Sequence, residues 1–196
     1  SYRIIFIHVP VSWMSMVLYV AMAFWAAIGL IFNARLGSML AQAIAPTGAL
    51  MTFLSLWTGA LWGKPTWGTW WVWDARLTSE LILLFLYIGF LSLRGAIEDE
   101  RRADRASAVL AIVGVVNVPI IYFSVKWWNT LHQGASVRPV QGSTMAEIML
   151  EAMLIMALAF WAYCFAVVFA RVRHIILERE RGAAWTRELL PRERFA

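Results

Sequence analysis

The sequence predicts an all-α integral membrane protein: a bundle of five transmembrane helices with an outer tryptophan-rich loop or short helix. Three observations carry this. Hydrophobic residues make up 61% of the 196 and charged residues only 15%, against about 25% charged in a soluble domain. Mean hydropathy is +0.67, and five stretches reach the roughly 20 residues a helix needs to cross about 30 Å of hydrocarbon. Six of the twelve tryptophans fall between Trp57 and Trp73, in a segment punctuated by Gly63, Pro65 and Gly68. A membrane span would not tolerate that punctuation in its middle.

The first span is expected over about 11–32, with no charge between Arg3 and Arg35. The second covers about 40–62, where Pro46 and Gly48 predict a kink. The third, about 77–93, is short and carries Glu80 near its start. The fourth, about 106–125, is interrupted by Asn117 and Pro119, and the fifth runs over about 145–170 with Glu147 and Glu151 in its first turns. Residues 1–196 read as a single transmembrane domain with outer loops at 63–76 and 126–144 and a tail at 171–196. The chain starts at Ser1 with no initiator Met, so a further segment is expected ahead of it.

Loop charge predicts orientation. The N-terminus and the two outer loops hold Arg3, Lys64, Arg76, Lys126 and Arg138; the other 12 Lys and Arg lie on the opposite side. That asymmetry places the tryptophan loop outside and the C-terminal tail in the cytoplasm. The net charge of +5 sits beside the spans and is not a nucleic-acid signature. The lone Cys164 lies mid-span and excludes an intramolecular disulfide. The sequence holds no Gly-rich phosphate loop, no CxxCH, no catalytic triad and no zinc spacing.

Two of the three histidines fall on the tryptophan side: His8 in RIIFIHVP, where Pro10 suits a first helical turn, and His132 in KWWNTLHQG. His174 lies among cytoplasmic arginines. A neutral imidazole is a good axial ligand for haem iron, and imidazoles from different loops can clamp a porphyrin from both faces. On the residues alone, an interfacial polar role fits His8 and His132 as well. If helical, positions 67, 70 and 71 share one face, and flat indoles there offer contacts to a large aromatic ligand. The competing reading is an interfacial belt, which suits Trp13, Trp25, Trp57, Trp161 and Trp185. Haem carries two propionates, and Arg matches carboxylates bidentately; Arg3 and Arg76 are the first choices. Glu147 and Glu151 fit a partner contact, support of a histidine or a headgroup contact.

WGTWWVWDARLTSE, residues 67–80, resembles the tryptophan-rich "WWD" signature of haem-handling membrane proteins of cytochrome c biogenesis. With RIIFIHVP, WGKPTWG and NVPIIYFSVKWWNTLHQG, the resemblance extends over essentially the whole chain, and length favours the haem exporter protein C family of the cytochrome c maturation system. The resemblance implies a sixth, N-terminal span and a multi-pass protein of the bacterial inner membrane, with the tryptophan loop periplasmic and the C-terminus cytoplasmic. It implies haem b as transient cargo, with axial ligands at His8 and His132, a platform of Trp67, Trp70, Trp71, Trp73 and Asp74, and propionate contacts at Arg3 and Arg76. Implied partners are an ATP-binding cassette subunit, a permease-like membrane subunit, a small single-span subunit and a periplasmic haem chaperone, besides the bilayer. The expected role is to hold haem at the periplasmic face and deliver it to that chaperone. It is a presenting role, and whether the chain also assists covalent attachment stays open. Two alternatives remain at this point: a haem transporter or permease, with Pro46 and Asn117-Val-Pro119 marking broken helices, and a structural scaffold.

Overall fold

A computed structural model describes residues 2–132, 137–138, 142–143 and 145–189. A 3₁₀ turn, Tyr2–Ile4, leads into α1 (Ile5–Phe32), followed by α2 (Arg35–Trp67), α3 (Ala75–Ala96), α4 (Glu100–Gly114), α5 (Asn117–Trp127), α6 (Glu147–Arg179) and the short α7 (Ala184–Leu189). Between α5 and α6, β1 (Val137–Arg138) and β2 (Gly142–Ser143) pair antiparallel. Five helical units are long and apolar enough to cross a membrane: α1, α2, α3, α4 with α5, and α6. The fold is the expected five-span helical membrane bundle.

The helices run longer than the spans read from hydropathy, because helical geometry continues past the apolar window. Two differences matter for the site. Helix α1 begins at Ile5, so His8 lies in its first turn and Pro10 in its second rather than at the helix start. Helix α2 passes through both Pro46 and Pro65 without a break, so Pro46 does not divide the span. The expected break near Pro119 is present: α4 stops at Gly114 and α5 restarts at Asn117. Pro119 has no N–H to give the Val115 carbonyl, and Val118 N donates to it instead at 3.0 Å. Asn117, buried at the restart, donates from Nδ2 to Ser79 O at 2.8 Å, tying α5 to α3.

One hydrophobic cluster joins the spans, centred on α1 and α2. Helices α1 and α2 approach closely through Gly29 and Gly37, where a Cβ on either would meet the other helix's backbone. Tyr19 and Tyr87 meet edge to face at 4.9 Å, and Tyr87 Oη donates to Ser15 O at 2.9 Å. Gly48 makes room for the Tyr87 ring: a Cβ there would collide with it. Gly48→Ala is therefore expected to cost about 1–3 kcal/mol by overpacking, read as a lower Tm in detergent, with Tyr87→Leu in the same chain recovering part of the loss.

At the end remote from His8, Asp104 gathers the helices. It accepts from Arg94 and, at 3.0 and 3.1 Å, from Arg179, which also donates to Gln42 Oε1 at 2.7 Å. Helix α6 packs on α1 and α2 and turns Ile155, Leu158, Phe165 and Phe169 outward, the apolar outer surface a spanning helix needs.

Candidate functional site

The opposite end of the bundle opens into a cleft where α1 starts, α2 ends and α3 starts, roofed in part by the segment after α5. Its open space, mouth included, is about 440 Å³. Helix α2 supplies one wall through Ser55, Gly59 and Trp62. These positions, with Thr58, are spaced i, i+3, i+4 and i+7, so they form a single helical face. Helix α1 contributes His8 and Ser12, α3 contributes Arg76, Leu77 and Glu80, and His132 and Trp67 close the mouth.

His8 is buried, with 7% of its surface exposed. Its Nδ1 lies 3.0 Å from Thr58 Oγ1. Gly59 lets the ring approach α2, since a Cβ there would stand 3.1 Å from His8 Cε1. Trp62 presents an edge-to-face contact at 5.7 Å. Across the cleft the His132 ring is centred 6.2 Å from that of His8, tilted by 40°. Trp67 flanks His132 at 6.3 Å. The two histidines, 124 positions apart in the chain, thus face one space.

Beyond Trp67 the tryptophan segment is not a helix. Helix α2 ends at Trp67, and Gly68 takes a left-handed conformation (φ 78°) with its N–H donating to Lys64 O at 3.0 Å. That terminating geometry favours glycine, which has no Cβ to clash. Beyond it residues 69–74 carry no regular structure, so positions 67, 70 and 71 do not share a helical face. Of the four expected platform tryptophans only Trp67 lines the cleft. Trp70 and Trp73 are 54% and 77% exposed, with Lys64 Nζ 5.9 Å over the Trp70 ring. Trp71 packs edge-on against Trp73 at 5.4 Å, and its buried Nε1 has no hydrogen-bond partner among the described residues.

Asp74 has two jobs. Its Oδ1 caps α3 by accepting from Leu77 N at 2.8 Å, and its Oδ2 accepts from Leu131 N at 3.3 Å. The second bond pins the residue next to His132 to the start of α3. Asp74→Ala is expected to cost about 1 kcal/mol as a lost cap and to increase protease cutting within 126–144, checked by limited proteolysis in detergent; Asp74→Asn, which keeps one acceptor, should fall between.

Arg76 lines the cleft and donates from Nη1 to Ile121 O at 2.6 Å. Arg3 sits exposed on the 3₁₀ turn, outside the cleft lining. Glu80 lies on the cleft floor one turn after Arg76; Ser15 Oγ donates to its Oε1 at 2.8 Å, and its buried Oε2 has no partner within hydrogen-bond geometry among the described residues. Beside it Ser12 Oγ and Ser55 Oγ share a hydrogen bond of 2.6 Å. Glu147 and Glu151 are exposed at the start of α6, while His174 stands at the far end beside Glu178, at 3.9 Å. Thr58, Gly59, Trp62 and Glu80 were not anticipated as site residues. Their signal lay in the helical spacing of 55, 58, 59 and 62 and in the i, i+4 pair Arg76 and Glu80.

Among the described residues no group of three or more His, Cys, Asp or Glu gathers as a metal site; the cleft offers two imidazoles, an arginine and indole walls. The fold and site define a multispan membrane protein with a two-histidine cleft at one end of its bundle. The family profile described as Heme exporter protein C matches residues 1–187. The chain is 46% identical over 195 residues to "Heme exporter protein C" of Escherichia coli strain K12, covering 97% of this chain and 76% of that one. It is 44% identical over 189 residues to the protein of that name from Haemophilus influenzae (96% and 77%) and 49% over 177 residues to that from Bradyrhizobium diazoefficiens (90% and 67%). The chain belongs to the Heme exporter protein C family.

Proposed function

We propose that this chain is a haem-holding membrane subunit of cytochrome c maturation. It grips haem between His8 and His132 at the periplasmic face and presents it to a periplasmic haem chaperone. The observation that carries the reading is the 6.2 Å between the two imidazole centres. Two imidazoles on opposite sides of one metal, with metal–nitrogen bonds of about 2 Å, place their centres about 6 Å apart. A bare ion would need further protein ligands, whereas haem iron brings four nitrogens and asks only for axial ones.

The walls suit the rest of the molecule. Trp62, Trp67, Leu56 and Leu77 give the macrocycle apolar contact, and indole edges and faces suit an aromatic ring system. Arg76 is the cleft's cation for a propionate. Arg3, exposed at the N-terminal turn, is placed to meet a propionate that reaches past the mouth. Trp70 and Trp73 form the outer rim of the platform. The cargo is haem b, and the iron is six-coordinate while it is held.

Sidedness rests on loop charge, with 5 Lys and Arg on the cleft side and 12 on the other, which puts the cleft outside the cytoplasm. No phosphate-binding loop occurs in the sequence, so an ATP-binding cassette subunit supplies any energy, alongside a permease-like subunit and a small single-span subunit. The chain orients and exposes the haem; the reactive vinyl chemistry belongs to the haem itself. Membrane vesicles carrying the intact complex should transfer haem covalently to added purified chaperone. Vesicles with His132→Ala should insert normally and transfer little. Equal transfer by both would overturn the proposal.

A further inference from the structure

We infer that Thr58 is a positioning residue that fixes the tautomer of His8, holding the proton on Nδ1 and leaving the Nε2 lone pair for the metal. The inference deepens the proposed haem ligation and rests on it for its consequence, though the tautomer itself does not depend on haem.

A hydroxyl has one proton to give and two lone pairs to receive with. Thr58 Oγ1 lies 2.6 Å from Leu54 O, four residues back, and 3.3 Å from Ser55 O. Carbonyl oxygens only accept, so the Thr58 proton is committed to the helix's own backbone. Toward His8 Nδ1, 3.0 Å away, the same oxygen can therefore only accept. The partner nitrogen must carry the hydrogen, and in a neutral imidazole the other nitrogen is then the bare one. The ring has little freedom to escape this arrangement. Gly59 lies against Cε1 and Trp62 against its side, and Ser12 Oγ ties the His8 carbonyl to α1 at 2.7 Å. Thr58 has a β-branched side chain whose rotamer in a helix is set by that backbone bond. The acceptor is thus rigid as well as present.

The consequence for a ligand is threefold. An N–H that donates to a fixed oxygen orients the ring, removes the wrong tautomer and makes the other nitrogen more basic. A more basic ligand favours ferric over ferrous iron. Replacing Thr58 by Val keeps the shape and removes the acceptor.

The test has two arms. In haem-free protein labelled with ¹⁵N at histidine, the His8 signal, assigned by its absence in His8→Gln, should show a single Nδ1–H tautomer in the wild type and in Thr58→Ser. Thr58→Val should show mixed tautomers or the Nε2–H form. In haem-loaded protein, Thr58→Val should hold haem about 10–100-fold more weakly, the usual cost of losing a partner of a metal-ligating histidine, with a raised reduction potential; Thr58→Ser should match the wild type. An unchanged single tautomer in Thr58→Val overturns the inference. A tautomer change that leaves haem affinity and potential untouched, together with an unaltered haem spectrum in His8→Ala, overturns the ligand reading instead.

Discussion

His8→Ala and His132→Ala are each expected to release haem in detergent, with losses of affinity exceeding the roughly 10–100-fold that removal of a ligand's supporting partner costs. The two losses should not add in the double variant, because in the proposed arrangement both side chains act on one iron. The sites should differ in rescue. His132 comes from a loop and is half-buried, whereas His8 is buried under Trp62 and α2. Added imidazole should therefore restore haem binding to His132→Gly more readily than to His8→Gly. Removing His8 also leaves a void against Gly59 and strips Thr58 of its partner, so a lower Tm is expected for that variant alone. Equal rescue at both positions would contradict the arrangement of one buried and one loop-borne ligand.

Arg76→Met is the second large effect. Three things depend on this guanidinium: the Ile121 carbonyl loses its 2.6 Å partner, Glu80 loses the cation of the cleft lining, and in the proposed site a haem propionate loses its anchor. A hydrogen bond made by a charged group contributes about 1.5–3 kcal/mol, enough to weaken a marginally stable membrane protein. Arg76→Lys should not rescue, because a single ammonium cannot reach the α5 carbonyl and offer a planar fork to a carboxylate together. The double variant Arg76→Met with Glu80→Gln separates the roles. It should regain much of the Tm and still retain haem poorly. Recovery of both properties would assign Arg76 to folding alone.

Much of this was legible in the residues. Five apolar stretches became five spans because a bilayer permits little other than helices whose backbone bonds are satisfied internally. The break at Asn117-Val-Pro119 was readable for a related reason: Pro119 removes a donor at a point where Asn117 can bond elsewhere, to Ser79. Pro46 carries the same chemistry yet leaves α2 continuous, since a proline marks where a helix loses a bond and not whether its packing holds it together. The pairing of His8 with His132 was reached through topology and family resemblance. Its geometry was not legible, because the loop bond from Asp74 to Leu131 that sets it joins distant residues.

Of the two forms expected for the outer tryptophan segment, loop or short helix, the structure has the loop: Gly68 ends the helix at Trp67, so the helical face that 67, 70 and 71 would share does not form. Trp62, one turn earlier on α2, looked like the close of a span and instead forms a cleft wall beside His8. Hydropathy hides such residues because a tryptophan facing lipid and one facing a cleft look alike. Ser55, Thr58 and Gly59 were hidden likewise. Small and hydroxyl residues in a span usually serve helix packing, and only the position of His8 across from them shows another use.

The most direct test is low-temperature electron paramagnetic resonance of the ferric haem complex in the wild type, His8→Ala and His132→Ala. The wild type should show a low-spin signal of an iron held by two imidazoles, and each variant should turn high-spin, with added imidazole recovering the low-spin signal more readily in His132→Ala than in His8→Ala. An unchanged low-spin signal in either variant would show that the missing histidine is not a ligand.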